Sequence, residues 1–510
     1  MIRLAGFPMR HLILFAVLPA LLAAEDLTQL AAEAHQKFNL GKYEDAAIAY
    51  RSWAAADPAS GTALAGVVRS LLFAGRKPAA YEALAAAQKV APENADVLLA
   101  AGDVAFRQGN FRQAETAYKA ALQKEPKSTA AWMGVVRLFE IASANQSAER
   151  TLKRALELNP GNRTFLYALA SLRPEGPEHI ALMESVLATY PADSPDGASV
   201  REHIERDKKW GDRRRRALVS PYQAARIPIE IMRDSPTRFR GWGLKISVND
   251  SKPIILMLDS GASGITLNDK VAATLGLESE NPHNFELGGI GSGKRLTGHR
   301  EIAKKLEIGG VVFRDFPMAI IEGKVEEDAG LIGTDVFEQF LVTIDLPGEN
   351  VGLTPFPGMQ TAPDPNVPSQ RTLSAATEGF YPFYRIGHSI LVPTKVSDKG
   401  PFLLIVDSGA RDTILLREVA EQVGKVKTDT HVQFKGVQGK TRQVYEIDNA
   451  VLEFAGIRQR NSQGVTVLDS SDFGGNLGTD VGGLLGARAL IYLSTTIDYR
   501  NGLIKFIYKQ

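Results

Sequence analysis

The chain has 510 residues, of which 44% are hydrophobic and 23% charged, and its 59 basic and 58 acidic side chains give a formal net charge of +1. This length exceeds a single compact core and predicts about three domains. The balanced charge gives no electrostatic reason to expect binding to nucleic acid or to an anionic membrane. Cysteine is absent, which excludes disulfides, thiolate metal sites and lipid attachment through a cysteine.

The N-terminus has the layout of a secretory signal peptide. Two arginines and a histidine precede the apolar run Leu12 to Leu22, which ends in two alanines before an acidic pair. The run is shorter than the roughly 20 residues that a bilayer-spanning helix needs. We therefore predict a signal peptide over residues 1–24, cleaved near Ala24, and an exported protein in the periplasm or outside a bacterial cell, with no membrane span in its mature form. An uncleaved N-terminal anchor is the alternative.

Residues 27–191 carry a repeat with a period of 34 residues. The residues that recur at this step include Pro58, Pro92, Pro126 and Pro160, Gly41, Gly75 and Gly109, and Ala46, Ala80, Ala114 and Ala148. Each unit, such as AGDVAFRQGNFRQAETAYKAALQKEP at 101–126, has two apolar helical stripes around a glycine turn and a proline that ends the second helix. The pattern resembles the tetratricopeptide repeat, which implies an all-α helical solenoid whose concave surface binds a peptide or a partner protein. A spacer without a partner is the alternative.

Residues 192–223 form a charged segment after the repeats. It contains REHIERDKKWGDRRRRALVSP at 201–221, with four consecutive arginines from Arg213 to Arg216. A run of like charge is usually solvated, so we predict a linker here. A processing site and a patch for acidic partners are the alternatives.

The rest of the chain predicts an all-β region that is duplicated. Short β-branched and aromatic runs alternate with glycine, asparagine and aspartate turns. An apolar strand leads into DSGA at 259–262 and again at 407–410. We predict two homologous lobes, 224–356 and 379–510, joined by a proline-rich linker over 357–378.

The two copies together resemble the retropepsin-like aspartic peptidases, which are all-β acid protease folds. DSGARDTILL at 407–416 is similar to their active-site loop, GGIGSG at 288–293 to the tip of their flap, and LIGTDVF at 331–337 to the strand and turn behind the catalytic loop. In that family two lobes face each other, usually as a homodimer. The duplication implies that both lobes lie in one chain, as in the pepsin-like relatives, and pairing of lobes between chains is the alternative.

The resemblance implies a catalytic pair formed by Asp259 and Asp407. Hydrolysis of a peptide without a covalent intermediate needs one group to take a proton from water and another to donate one to the carbonyl oxygen. Two adjacent carboxylates do not both ionise, so they share a proton and titrate as a pair. Each lobe supplies one carboxylate, which is a reason for the motif to occur twice. No cofactor is expected.

Neighbouring residues are expected to support the pair and to cover the substrate. Small residues allow tight turns, and glycine amides can donate hydrogen bonds to the carboxylates. The family resemblance implies that the two serine hydroxyls bond to the opposite lobe and that mobile glycine-rich flaps close over an extended peptide. The predicted supporting residues are Ser260, Gly261, Ala262, Ser408, Gly409 and Ala410, and the predicted flap residues are Gly288, Gly289, Ile290, Gly291, Gly436 and Val437.

Other chemistries have weaker signals. GGIGSGKR at 288–295 nearly matches a phosphate-binding loop, but Arg295 stands where a hydroxyl should hold Mg²⁺, so no nucleotide is expected. The eight histidines are scattered, and we identify no pair of them at metal-ligand spacing, so no metal site is predicted. Structural roles are expected for Asp335, Asp345 and Asp498, and an ion pair for Arg411 with Asp412. The sequence predicts an exported aspartic endopeptidase with a recognition module, and a peptide-binding scaffold without turnover is the alternative.

Overall fold

The computed structural model describes residues 12–174, 176–211, 213–236, 238–287, 296–322, 329–364, 367–371, 377–427, 433–435, 441–461, 464–469 and 478–509. The polypeptide forms two compact units, residues 1–135 and residues 136–510. Helices come first in the chain and strands dominate the rest. This order confirms the predicted fold class of a helical repeat region followed by a β region.

Within the described residues, eleven helices precede the strands. They are α1 (Leu12–Asn39), α2 (Tyr43–Ala56), α3 (Gly61–Phe73), α4 (Lys77–Val90), α5 (Ala95–Arg107), α6 (Phe111–Lys124), α7 (Thr129–Ile141), α8 (Asn145–Leu158), α9 (Arg163–Ser171), α10 (Pro177–Leu187) and α11 (Pro195–Trp210). The predicted cleavage point near Ala24 lies within α1. None of the helices in the described part of the chain is both long and apolar enough to cross a membrane.

The first unit shows why the repeat needs small residues at fixed steps. Tyr118 of α6 packs on Gly102 of α5, where an added Cβ would lie 2.5 Å from the ring. Tyr50 of α2 packs in the same way on Gly66 of α3, at 2.2 Å. A side chain at either glycine would push the paired helices apart, so the interhelical contact depends on glycine.

The second unit contains a helix where the sequence predicts a charged linker. Over residues 192–223 the structure has α11, and Val200 and Ile204 of that helix are buried against α10. Arg213, also in the predicted linker, forms an ion pair with Asp315. An apolar stripe at helical spacing therefore outweighs the high charge of the segment.

The strands form the two lobes. In the first lobe they are β1 (Ala217–Leu218), β2 (Ala225–Pro228), β3 (Glu230–Ser235), β4 (Arg238–Val248), β5 (Ile254–Leu258), β6 (Ile265–Asn268), β7 (Glu278–Leu287), β8 (Leu296–Ile308), β9 (Val311–Ile321), β10 (Gly330–Ile332), β11 (Leu341–Asp345) and β12 (Asn350–Thr354), with helix α12 (Asp269–Ala272) and a 3₁₀ helix (Thr334–Phe337).

The second lobe has a corresponding set. Its strands are β13 (Tyr381–Pro382), β14 (Tyr384–Ile386), β15 (Ser389–Val396), β16 (Lys399–Val406), β17 (Ile414–Leu416), β18 (Gln433–Lys435), β19 (Thr441–Gln443), β20 (Tyr445–Ile447), β21 (Ala450–Phe454), β22 (Ile457–Asn461), β23 (Val465–Leu468), β24 (Gly483–Leu485), β25 (Leu493–Asp498) and β26 (Leu503–Tyr508), with helices α13 (Arg417–Val423) and α14 (Ala487–Leu490).

The six central strands of the main sheet have the same order in both lobes, and the outermost strands differ. The first lobe has the order β1-β9-β6-β10-β5-β4-β8-β7, and the second has β20-β23-β17-β24-β16-β15-β21-β22. In each lobe the strand that leads into the DSG motif runs parallel to the later apolar strand, β5 with β10 and β16 with β24. The duplication seen in the sequence is therefore a duplication of topology.

A third sheet joins the lobes. Its order is β13-β26-β25-β11-β12-β2, and β11 of the first lobe pairs antiparallel with β25 of the second. One pair of this ladder is Thr343 opposite Thr496, whose hydroxyls lie 3.0 Å apart. The lobes pair within one chain, because strands from both complete the same sheet.

Candidate active site

Each DSG aspartate lies directly after a strand that ends in a buried apolar residue. Asp259 follows β5 and donates its amide to the carbonyl of Ile332 at 3.0 Å, and Asp407 follows β16 and donates its amide to Leu485 at 3.0 Å. The acceptors end β10 and β24, the parallel neighbours of the two strands. Both aspartates are thus fixed at equivalent positions by the sheet of their own lobe.

The structure brings the two carboxyls together. Asp259 and Asp407 share a side-chain hydrogen bond. The glycine two residues after each aspartate lies against the carboxyl of the opposite lobe. A Cβ added at Gly261 would lie 2.9 Å from Cγ of Asp407, and one at Gly409 would lie 2.5 Å from Cγ of Asp259. Only glycine at these two positions leaves room for the pair.

Backbone amides of the loops hold the carboxyl oxygens. Gly261 donates its amide to Oδ1 of Asp259 at 2.8 Å, and Ala410 donates its amide to Oδ1 of Asp407 at 2.9 Å. The amide of Gly409 hydrogen-bonds to the pair as well. Ala262 contributes through its backbone, because its amide closes a turn onto the carbonyl of Asp259 at 3.1 Å.

The two serines cross between the lobes. Ser260 Oγ donates to the carbonyl of Val406 at 3.0 Å and accepts the amide of Ser408 at 2.9 Å. Ser408 Oγ donates to the carbonyl of Leu258 at 3.2 Å and accepts the amide of Ser260 at 3.0 Å. Both serines are buried. Four reciprocal bonds in a buried site fix the separation of the two loops, because leaving any of these groups unpaired would be costly.

Burial and charge set the proton affinity of the pair. Burial raises the pKa of Asp259. The pKa of Asp407 is raised more, first by burial and then by the neighbouring charge of Asp259. The loop amides, the carboxyl of Asp407 and the charge of His388 act in the opposite direction on the pKa of Asp259. The pair therefore retains one proton at a pH where an isolated carboxyl has lost it.

A second layer behind the loops differs between the lobes. Asp335 accepts the amide of Gly264 at 2.7 Å and the hydroxyl of Ser263 at 3.2 Å. The corresponding position in the second lobe is Arg488, whose Nε lies 2.8 Å from Asp412. The ion pair expected between Asp412 and Arg411 is thus formed with Arg488.

That difference has a backbone cause. The amides of Ala487 and Arg488 donate to the carbonyls of Ala410 and Arg411, at 2.7 and 3.1 Å. These bonds bring the Arg488 side chain over the loop that contains Asp412. The sequence could not show this contact because the partners are 76 residues apart.

The two other duplicated acids hold turns. Asp345 accepts the amide of Gly348 at 3.3 Å, and Asp498 accepts the amide and side chain of Asn501 at 2.9 and 2.7 Å. The predicted flap residues Gly288, Gly289, Ile290, Gly291, Gly436 and Val437 lie outside the described residues. The strands that flank them pair antiparallel, β7 with β8 and β18 with β19.

Sequence reasoning missed two groups of residues. His388, one of the eight histidines that were given no role in the predicted site, acts electrostatically on Asp259. His179, His203 and Asp207 come together on α10 and α11, although no metal ligands were predicted. A signal for the second group was present, because His203 and Asp207 are four residues apart in a helix and so share a face.

Comparisons with known proteins match both parts of the chain. An aspartyl protease family model matches residues 244–336 and 392–488, and a tetratricopeptide repeat model matches residues 67–110 and 99–163. None of the curated proteins compared matches the chain significantly.

Two solved structures each match a part of the chain. A thermophilic tetratricopeptide-repeat protein of Thermus thermophilus is 19% identical, with 36% of this chain and 99% of that chain covered and a TM-score of 0.30. An aspartic proteinase from Irpex lacteus is 11% identical, with 56% of this chain and 98% of that chain covered and a TM-score of 0.33. The chain thus contains two segments that match the aspartyl protease family, after a stretch that matches the tetratricopeptide repeat.

Proposed function

We propose that this protein is an aspartic endopeptidase that hydrolyses peptide bonds between Asp259 and Asp407. The observation that carries the proposal is the meeting of two carboxyls, one from each lobe, in a hydrogen-bonded pair. Their raised pKa values suit a pair that holds one proton and one charge. The crossed serine bonds support the rigidity that such chemistry needs.

The reaction uses the pair as acid and base at once. A water molecule between the carboxyls gives one proton to the ionised carboxylate, while its oxygen bonds to the carbonyl carbon of the peptide. The protonated carboxyl gives its proton to the carbonyl oxygen, which yields a neutral tetrahedral diol. In the second step the C–N bond breaks and the nitrogen takes a proton from the carboxyl that is now protonated. One hydroxyl of the diol loses its proton to the carboxylate that is now ionised. The dyad returns to its starting state with one proton.

A digest of a peptide library tests this activity. We expect the purified protein to cleave extended peptides internally and a statine-type mimic of the tetrahedral diol to block cleavage, because such mimics bind more tightly than substrates. Peptide binding without any cleavage, across acidic and neutral pH, would support the scaffold alternative instead. Cleavage insensitive to the mimic would point to another site.

We further propose that the repeats recognise a protein segment of the substrate. Repeat proteins of this kind present extended surfaces built from neighbouring units. In the same assay, separate repeat protein covering residues 27–191 should compete with cleavage of a protein substrate and leave cleavage of a short peptide unchanged. Equal inhibition of both substrates would contradict a recognition role.

We propose in addition that the protein is exported to the periplasm or beyond. The support is the basic start, the apolar run Leu12 to Leu22 and the two alanines that follow it. Mass spectrometry of the N-terminus in a bacterial host should find a chain that begins near Glu25 in the extracytoplasmic fraction. A full-length N-terminus that remains in the cytoplasm would overturn this proposal.

A further inference from the structure

A second cluster of polar side chains lies on α10 and α11, the last two helices before the strands. His179 belongs to α10, and His203 and Asp207 belong to α11. His179 is 8% exposed and Asp207 is 3% exposed. Among the described residues, these three form the one group of histidines and acids whose ligand atoms lie close enough to hold a metal ion together.

The spacing of the three ligand atoms fits a small tetrahedral site. Nε2 of His203 lies 3.2 Å from Nε2 of His179 and 3.2 Å from Oδ2 of Asp207, and His179 Nε2 lies 3.7 Å from the same oxygen. With metal–ligand bonds of about 2.0–2.1 Å, two ligands of a tetrahedral zinc ion are about 3.3 Å apart. One ion can therefore reach all three atoms with little movement.

The tautomer of His179 suits a ligand. Its Nδ1 lies 3.0 Å from the carbonyl oxygen of Ala170. A carbonyl only accepts hydrogen bonds, so Nδ1 carries the proton and the lone pair is left on Nε2. A ring nitrogen tied to a backbone carbonyl is the usual outer support of a zinc-bound histidine.

The buried carboxylate of Asp207 is a second observation that points to a cation at this site. Both of its oxygens are buried, and within the described residues neither accepts a hydrogen bond of good geometry, although Nε2 of His203 lies 3.2 Å from Oδ2. The guanidinium of Arg206 is at the limit of an ion pair with this carboxylate, since its Nε lies 3.9 Å from Oδ1. Buried carboxylates are normally hydrogen-bonded, paired or bound to a metal.

We propose that His179, His203 and Asp207 bind a zinc ion, with water as the fourth ligand. Two imidazoles and a carboxylate are typical zinc ligands, and zinc sites with three protein ligands keep a water in the fourth position. Zinc would connect α10 to α11, the helix that precedes Arg213 and the strand β1.

Arg206 takes part in the metal-free arrangement. Its guanidinium contacts Nδ1 of His203 and therefore donates to it, which leaves the proton of that ring on Nε2. When zinc takes Nε2, the proton moves to Nδ1 and Arg206 turns outwards, which its 30% exposed side chain permits. Arg206 thus competes with the ion for the site.

Titration of the tag-free, chelator-treated protein with zinc tests the proposal. We expect one equivalent to bind and to raise Tm, and cobalt to give the visible absorption of a four-coordinate site. Asp207→Asn and His203→Gln should each weaken binding more than about 100-fold, because loss of outer support alone already costs about 10- to 100-fold. Arg206→Gln should bind zinc more tightly than the wild type.

The control is His299→Gln, which removes a histidine that lies 3.3 Å from Glu301. It should leave the zinc stoichiometry and affinity unchanged. Absence of stoichiometric binding, or binding that survives Asp207→Asn and His203→Gln in folded protein, would overturn the proposal. If either ligand variant fails to fold, an affinity for Arg206→Gln no higher than that of the wild type would overturn it equally.

Discussion

Replacing either Asp259 or Asp407 with asparagine lowers kcat/KM for a cleavable peptide by at least about 10²- to 10⁴-fold, the range that a general acid or base contributes. Each asparagine leaves the shape of the site but removes a group that must hold or accept a proton. Because the two carboxyls act as one unit, the double variant should be little worse than either single variant. The measurement is kcat/KM for one peptide with all three variants.

Stability provides the control for folding. The pKa of Asp407 is raised well above its ordinary value of 3.8. Between these two pKa values the folded state therefore keeps a proton that the unfolded chain has released. The stability from that proton is fully present below the ordinary pKa and is lost as the pH rises through the folded pKa. Asp407→Asn escapes this loss, so it should melt at a higher temperature than the wild type at neutral pH, with the difference shrinking towards about pH 4. A variant that is folded, stabilised and still fully active would contradict the shared dyad.

Gly409→Ala should lower kcat/KM by about 100-fold, the effect expected when reacting groups are displaced by about 1 Å. The new Cβ would lie 2.5 Å from Cγ of Asp259, a distance that forces the carboxyl or the loop to move. The same change at Gly261 should have a smaller effect, since its Cβ would lie 2.9 Å from Cγ of Asp407. Measuring kcat/KM of both variants with the same peptide shows which change has the larger effect.

Gly352→Ala is the matched control. Gly352 lies in β12 of the sheet that joins the lobes, and its nearest neighbour would be the Cβ of Thr343 at 3.7 Å, an ordinary contact. The control should keep the wild-type kcat/KM and Tm. Wild-type activity of Gly409→Ala would mean that the carboxyls do not meet where the structure places them. An inactive Gly409→Ala that melts like the control would separate a displaced dyad from general unfolding.

The sequence determined the architecture because the signals for it are local and repeated. A 34-residue period requires each helical pair to make the same contacts with the next, and its glycines mark the turns at Gly41, Gly75 and Gly109, where φ is 71°, 76° and 74°. Two DSG motifs, each after an apolar strand, predicted two β lobes. The family models and the sheet orders agree with both predictions.

The tertiary structure decided which distant groups meet. Nothing in the residues near Ser260 specifies the carbonyl of Val406 as its acceptor, because that bond depends on how the two lobes pack. For the same reason Asp412 pairs with Arg488 and not with Arg411, the neighbour predicted from the sequence. In α11 the charge of the segment suggested a linker, and only burial of Val200 and Ile204 made it a packed helix. That packing also brings His179 to His203 and Asp207, since a site shared by two helices exists only when their faces are set against each other.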